Sequence, residues 1–443
     1  MQKQLENGFI LRSLSEGIAS DAEQLPVHYR DVFKDEGEDF AERLLPWTQD
    51  LIERHPTTTK DDIWVVVDPE ADEKVVSAVL LIPQTWRYGD VLLPVGQIEL
   101  VATDKNYRRR GLIRELFKVA HARCEELGHI MTVIGGIPNY YRQFGYGMTV
   151  DMGTRQIVPF KGIPPLKDDE TPKFTLKVAN EADIPLLMEF DDYQARHFTN
   201  LSVSYNESEW RYDIAGKHKD SPWSHFVLLI MNTDDEPVGY VTIPMTMGDE
   251  KRVNVVSYVV GEKSSYLATF MDVMRGLDTY AAETWPEQGL YGAAFSAGVP
   301  QAVDEVANQI FGVAVWNFPY AFYVRIPDYV AFLESIKPQL ESRLEGSAAN
   351  AYTGDLTIGF YTRKYLKLVF EQGKIASIEM LDAEDSFHPN AQFPYETFSS
   401  VLMGCRTVAE LNHIHTDVAS NNTVRTLLNI MFPIRRPSIS LLG

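Results

Sequence analysis

A basic turn between a strand and a helix constrains the fold of the first part of the chain. "GQIELVAT" (96–103) predicts a strand, "DKNYRRRG" (104–111) predicts a turn, and a helix is expected from Leu112 to Gly128. Its apolar residues recur at spacings of three and four, which indicates one buried face. They are Leu112, Leu116, Val119, Ala120, Cys124 and Leu127. This order of elements predicts an α/β unit.

The arginines of this turn stand out because the chain is acidic, with 41 Lys and Arg against 62 Asp and Glu and a net charge of −21. That charge argues against a nucleic-acid partner and favours a cationic small molecule, although simple solubility explains it equally well. Arg108, Arg109 and Arg110 precede a helix N-terminus, whose unpaired N–H groups and dipole favour an anion. Gly111 lets a ligand approach the backbone closely. The turn therefore predicts a phosphate site, with a solvated arginine cluster as the alternative.

The motif narrows the kind of phosphate site. Neither G-x-x-x-x-G-K-[ST] nor G-x-G-x-x-G is present, which argues against a P-loop and a dinucleotide fold. Arg108-x-x-Gly111-x-Ile113 resembles the pyrophosphate loop of the GCN5-related N-acetyltransferases (GNAT), although Ile113 stands where a small residue is usual. The segment "HIMTVIGGIPNYYRQFGYG" (129–147) resembles the part of that family where two strands separate and coenzyme A enters between them.

The chain divides into three blocks. A proline-rich linker (158–174) follows the first block, and the second block repeats its order of elements. The third block predicts short strands and helices. This layout resembles the Eis-type acetyltransferases and implies α/β and α+β folds: two tandem GNAT-like acyl-CoA N-acyltransferase domains and a sterol-carrier-protein-like α+β domain. The predicted limits are 1–158 for the catalytic domain, 159–327 for a degenerate one, and 328–443 for the third, whose C-terminus would return to the active site.

The resemblance also implies roles for individual residues. The backbone of Val101, Ala102 and Thr103 would pair with the pantetheine arm of coenzyme A. The pyrophosphate would be cradled by Arg108, Arg109, Arg110, Gly111, Leu112, Ile113 and Arg114. Asn139 could reach the coenzyme, but a helix N-cap is the favoured interpretation.

Two groups are expected to handle protons. Tyr141 falls where the family places its general acid, and a phenol of pKa about 10 can protonate a leaving thiolate. The alternative is a core aromatic beside Tyr140 and Phe144. The α-carboxylate of Gly443 would orient the amine and relay its proton. Its pKa of about 3.5 makes it too weak a base to act alone.

The predicted activity is transfer of acetyl from acetyl-CoA to a primary amine, by direct attack in a ternary complex and without a metal. The acceptor would be an aminoglycoside, a polyamine or a lysine side chain. Cys124 lies in the apolar stripe of its helix, a poor place for a nucleophile. His413 and His415 lack a third ligand and are interpreted as a helix-end pair. The alternative function is binding of coenzyme A or lipid without transfer.

The surroundings of the site are less specific. Asp35, Glu36, Glu38 and Asp39 could attract a cationic acceptor, but a solvated helix face is favoured. Trp47 and Trp86 could line a pocket, but a core role is favoured. The resemblance implies a homo-oligomer, of which a hexamer is one possible form. Two distant cysteines fit a reducing cytoplasm, and the first residues lack signal-peptide features. The sequence contains no run of about 18 apolar residues, so no membrane span is predicted.

Overall fold

The computed structural model describes residues 2–151, 157–246, 251–311, 321–382, 384 and 387–439. The first third of the chain forms seven strands and three helices. They are β1 (Gln2–Gln4), β2 (Ile10–Ser13), α1 (Ala19–Phe33), α2 (Glu38–Glu53), β3 (Ile63–Asp68), β4 (Lys74–Tyr88), β5 (Val91–Thr103), α3 (Leu112–Glu126), β6 (Met131–Ile134) and β7 (Gly147–Asp151). β4 and β5 form a long hairpin that turns at Gly89 and Asp90, and Gly89 has the positive φ that such a turn requires.

α3 follows the predicted periodicity. It begins after Gly111, whose φ of 77° is in the left-handed region, and its face of Leu112, Leu116 and Ala120 is buried. The expected burial of Leu127 is wrong, because that residue follows the last helical residue and is 38% exposed. α3 and helices α1 and α2 pack against different groups of first-sheet side chains, so the sheet lies between them.

The middle of the chain forms a second set of strands and helices. They are β8 (Ile157–Pro159), β9 (Thr175–Val178), α4 (Ile184–His197), β10 (Leu201–Val203), α5 (Glu207–Arg211), β11 (His225–Met231), β12 (Pro237–Pro244), β13 (Val253–Val260), α6 (Tyr266–Thr284), β14 (Gly292–Gly298), α7 (Gln301–Phe311) and β15 (Ala321–Arg325). The fold class expected from the sequence, with strands and helices alternating in both blocks, is confirmed.

The first two sheets contain strands from each other's part of the chain: the first sheet includes β10 and β15, and the second sheet includes β8. The first sheet has the order β1-β2-β3-β4-β5-β6-β15-β7, with β10 beside β4, so β15 from the second block separates β6 from β7. The second sheet has the order β8-β14-β13-β12-β11-β9, so β8 reaches it from the far side of the predicted linker. Each sheet is therefore completed by a strand that is distant in sequence.

The last part of the chain is an α+β unit. It contains α8 (Tyr329–Leu344), β16 (Gly354–Gly359), β17 (Lys364–Glu371), β18 (Lys374–Asp382), β19 (Ala391–Gln392), α9 (Tyr395–Leu402), α10 (Val408–Ile414), β20 (Ala419–Ser420) and α11 (Asn422–Met431). Its core is continuous with Trp86 and Tyr88 of the first sheet, and the Tyr88 hydroxyl donates to the Leu402 carbonyl at 2.6 Å. This packing joins the third unit to the β4–β5 hairpin.

Candidate active site

Strands β5 and β6 separate within the first sheet. Their parallel pairing covers only Val95 to Gln97 on β5 and Met131 to Val133 on β6. Beyond this point β5 bulges away from its regular register with β4, and Leu100 has a φ of 49°. The edge of β5 that faces β6 is thus open along its last residues, as an extended ligand requires.

The residues predicted to pair with pantetheine lie on this open part of β5. Ala102 and Thr103 stand opposite Ala78 and Ser77 on β4, so one edge of the strand is paired. The Ser77 hydroxyl also donates to the Ala102 carbonyl at 2.8 Å. Val101 is half-buried. The structure therefore brings all three residues to the side of the opening.

The basic turn follows directly. Arg108, Arg109 and Arg110 are exposed, and none has a carboxylate within 4 Å among the residues that the structure describes. Arg109 has a φ of 64°, an uncommon value for a residue other than glycine. Gly111 is exposed, with open space where a Cβ would stand. An uncompensated cationic surface therefore lies at the N-terminus of α3.

The arginines differ in their surroundings. The Arg110 guanidinium stacks 5.1 Å from the Tyr107 ring and 5.5 Å from the Phe9 ring, which ties its side chain to the protein. Arg108 donates from Nε to the Thr103 carbonyl at 3.3 Å. Arg114 is exposed, whereas Leu112 is buried and Ile113 packs partly against the apolar cluster of α3. Leu112 and Ile113 can thus offer only backbone N–H groups to an anion.

Tyr141 lies in the connection between β6 and β7, on the β6 side of the opening. It belongs to a short 3-10 helix (Tyr140–Phe144), is 4% exposed, and packs in the α3 cluster. A Cβ built on Gly136, two residues after β6, would stand 3.1 Å from the Tyr141 ring and 3.3 Å from its hydroxyl oxygen. Close approach of that hydroxyl to the backbone therefore depends on glycine at position 136.

Asn139 precedes this short helix at the N-cap position. It is exposed and left-handed, with a φ of 66°, and its side chain makes no capping hydrogen bond. The position agrees with the favoured interpretation, but the capping interaction itself is missing. Its amide is therefore available to a ligand at the opening.

A carboxylate that the sequence did not single out lies on the other face of the sheet. Glu99 immediately precedes the bulge at Leu100, and burial raises the pKa of its carboxyl. Gln97 donates to one Glu99 oxygen at 2.6 Å, and the Leu100 N–H reaches the other at 3.4 Å. A carboxylate with a raised pKa at an opening in a sheet is a candidate base.

The neighbourhood of Glu99 is polar in an otherwise apolar interior. Gln84 donates to Gln97 at 2.5 Å, and the Trp86 indole N–H donates to Gln84 at 2.7 Å, so a chain of hydrogen bonds leads from Trp86 to Glu99. Tyr29 on α1 is fully buried, and its hydroxyl has no partner among the described residues. Burial, with a smaller effect of Glu99, raises the pKa of the Tyr29 phenol.

Gly443 lies outside the described residues, which end at Ile439. The preceding segment is fixed at several points: Ser438 accepts from the Gln194 amide at 3.0 Å and donates to the Gly298 carbonyl at 2.7 Å. Arg436 forms an ion pair with Asp304 on α7. Ser438 also bridges Ser202 in parallel orientation. Because β10 is antiparallel to β4, and β4 to β5, the segment runs in the same direction as β5.

Other candidates take the expected places. Cys124 is buried, which raises the pKa of its thiol to about 12, and Trp47 and Trp86 belong to the core. His413 and His415 are exposed at the end of α10, and no group of three metal-binding side chains occurs in the described ranges.

The acidic cluster that follows α1 is solvated. Asp35, Glu36, Glu38 and Asp39 are all exposed. Asp35 lines a cavity of about 550 Å³ that also borders His28, Asp104 and Arg108, next to the basic turn.

Comparisons with known proteins relate part of the chain to a domain family and the chain as a whole to known folds. Residues 15–149 match the family described as acetyltransferase (GNAT) domain. Comparison with curated protein sequences gives no match. In the part of the chain that is described, no helix is both long enough and apolar enough to cross a bilayer.

Solved structures resemble the whole chain at low sequence identity. A GCN5-related N-acetyltransferase from Anabaena variabilis aligns over 97% of this chain and 99% of its own, with 14% identity and a TM-score of 0.66. A conserved protein of unknown function from Enterococcus faecalis covers 98% and 99%, with 14% identity and a TM-score of 0.67. Eis1 from Mycobacterium abscessus covers 98% and 99%, with 14% identity and a TM-score of 0.60. The chain therefore shares the fold of these proteins, and residues 15–149 form an acetyltransferase domain of the GNAT type.

Proposed function

We propose that the chain transfers an acetyl group from acetyl-CoA to a primary amine. The observation that carries the proposal is the separation of β5 from β6 between an exposed arginine turn and the buried Tyr141. The open edge of β5 suits the amides of pantetheine, and Arg108 and Arg109 suit a pyrophosphate. The match of residues 15–149 to acetyltransferase domains supports the same chemistry.

The proposed reaction is direct attack in a ternary complex. The amine nitrogen forms a bond with the thioester carbonyl carbon, the amine loses a proton, and the carbon–sulfur bond breaks. Tyr141 gives its phenolic proton to the departing thiolate, whose basicity is similar. Glu99 accepts the proton of the amine, because its raised pKa makes it a stronger base than an ordinary carboxylate.

The two groups lie on opposite faces of the first sheet. Tyr141 packs with Ile98 and α3. Leu100 and Ala102 pack with α1 and α2 on the other face, where Glu99 influences Tyr29 of α1. Donor and acceptor could thus approach the opening from different sides. The acceptor is proposed to be cationic, an aminoglycoside, a polyamine or a lysine side chain, because the chain is strongly acidic.

The C-terminal segment is proposed to bring the Gly443 carboxylate toward the same opening. Support comes from its direction, parallel to β5, and from its anchorage at Ser438 beside β10. The limits 1–158, 159–327 and 328–443, the likeness of the third unit to sterol carrier proteins, and a homo-oligomer stay proposals. The exchange of β8 and β15 makes the first two domains interdependent whatever their limits.

The test is release of free thiol from acetyl-CoA in the presence of aminoglycosides, polyamines and lysine peptides. Tyr141→Phe should lower kcat at least about tenfold with little change in the KM for acetyl-CoA, because general acid catalysis acts on the leaving group. Wild-type kcat in Tyr141→Phe would refute the role of Tyr141. No thiol release with any amine, combined with tight binding of coenzyme A, would favour a binding protein instead.

A further inference from the structure

The ring of Tyr141 is held by side chains from two parts of the chain. Phe117, Tyr140 and Tyr146 come from the first block, with ring centroids 5.2 to 6.4 Å away. Tyr323 comes from the exchanged strand β15, and its ring centroid is 5.5 Å from that of Tyr141 at an interplanar angle of 72°. Such an edge-to-face contact stabilises the pair of rings beyond the effect of the buried area.

Tyr323 also fixes the backbone that faces the Tyr141 hydroxyl. Its own hydroxyl donates to the Ile137 carbonyl at 3.2 Å. Ile137 directly follows Gly136, where a Cβ would stand 3.1 Å from the Tyr141 ring. One side chain therefore contacts both Tyr141 and the residue that follows Gly136.

The register explains why this position can do so. Tyr323 stands opposite Ile134 on β6 and opposite Met148 on β7. The connection between these two strands carries Gly136 and Tyr141, so Tyr323 spans its base. It is fully buried, and neighbouring side chains therefore limit its freedom to change rotamer.

We propose that Tyr323 is a positioning residue for Tyr141, and that the second block thereby contributes directly to the reaction in the first sheet. The proposal rests on the proposed function of Tyr141 as general acid. Tyr323 touches neither substrate in this arrangement; it acts by holding the Tyr141 ring and the carbonyl of Ile137. A shift of about 1 Å at a reacting group can cost up to about 100-fold in rate.

Two variants of the full chain separate the contributions. Tyr323→Phe keeps the ring and removes the bond to Ile137, whereas Tyr323→Leu removes the ring as well. We expect Tyr323→Leu to lower kcat by about 10- to 100-fold, with a change of less than about twofold in the KM for acetyl-CoA. Tyr323→Phe should retain an intermediate kcat, because the edge-to-face contact stays in place.

A matched control distinguishes positioning from general loss of stability. Tyr258 on β13 is also fully buried, and its hydroxyl bonds to Thr269 at 2.8 Å in the core of the second sheet. Tyr258→Phe should lower the melting temperature as Tyr323→Phe does, but leave kcat unchanged. Equal kcat in these two variants would overturn the proposal, and this comparison holds even if Tyr323→Leu fails to fold.

The closing experiment combines the changes. In a Tyr141→Phe background, Tyr323→Phe should cause no further loss of kcat. Tyr323 is proposed to act by positioning the Tyr141 hydroxyl, and that hydroxyl is already missing in this background. If Tyr141→Phe alone lowers kcat and the double variant shows the product of the two single losses, only the positioning role of Tyr323 is overturned. Full activity of Tyr141→Phe alone would overturn the role of Tyr141 and, with it, the present proposal.

Discussion

Replacement of Glu99 by glutamine tests the proton acceptor. The change preserves size, and a single amide oxygen can still accept from Gln97, whose bond is the shorter at 2.6 Å, while the weaker contact with the Leu100 N–H at 3.4 Å is lost. A general base typically contributes about 10²–10⁴-fold to the rate. We therefore expect Glu99→Gln to lower kcat by about this factor at pH 7, with little change in the KM for acetyl-CoA.

The pH profile makes the expectation specific. Attack requires a neutral amine, whose pKa is near 10, and an ionised Glu99. Below the raised pKa of Glu99, log kcat/KM should increase with pH at a slope of two, because two protons must be lost. Above that pKa the slope should be one. Glu99→Gln should show a slope of one throughout, since only the amine still titrates.

The same carboxyl predicts an opposite effect on stability. Because burial raises its pKa in the folded chain, the folded state binds more protons than the unfolded state above about pH 4.3. The wild type should therefore lose stability relative to Glu99→Gln as the pH rises from that value through the raised pKa. Each unit of the shift corresponds to about 1.4 kcal/mol. Melting curves of both proteins at several pH values measure this difference.

The control is Glu209→Gln. Glu209 is buried in the second block, and burial raises the pKa of its carboxyl too. This variant should also gain stability relative to the wild type as the pH rises, while keeping wild-type kcat and both slopes. The reasoning is refuted if Glu99→Gln keeps the change of slope, or if its kcat falls less than about tenfold.

Three further comparisons of variants test the remaining parts of the site. Arg109→Ala should raise the KM for acetyl-CoA about tenfold, and the increase should be smaller at high salt. Arg110→Ala should raise this KM less, because the Arg110 guanidinium is stacked on Phe9 and Tyr107. Initial rates at several acetyl-CoA concentrations measure both effects. Gly136→Ala should lower kcat more than Gly8→Ala, which also places alanine at a positive φ but in open space. Equal kcat values would contradict the close approach to Tyr141. Arg436→Ala should lower kcat, but not in a chain that lacks residues 440–443, and an equal loss in both backgrounds would exclude action through the C-terminal segment.

Local patterns predicted much of the first sheet and its turn. The periodicity of α3, its glycine boundaries and the arginines before it depend on neighbouring residues, and the structure agrees with them except at Leu127. The exchange of β8 and β15 could not be predicted in the same way. β8 has three residues and β15 has five, and nothing in such short strands specifies a partner more than 100 residues away.

Glu99 was missed for a related reason. In a strand that alternates regularly, a lone carboxylate among Ile98, Leu100 and Ala102 is expected to face solvent. The bulge at Leu100 breaks the alternation, and α1 covers the face to which Glu99 belongs. The available signal was Gln97, two residues before Glu99, because two polar side chains on one face of an otherwise apolar strand indicate a buried polar site.

The second sheet suggests a structural role for the second block, which has no basic turn like that at 104–111. Its parallel pairing of β13 with β14 ends at Ser257 and Gly298, much as that of β5 with β6 ends in the first sheet. Ser438 donates to the carbonyl of Gly298 at this point, so the C-terminal segment of the chain lies where the second opening begins. The same residue bridges Ser202 of β10, so the segment is attached to both sheets. Together with β15, the second unit thus supplies constraints on the first site that a single sheet could not provide.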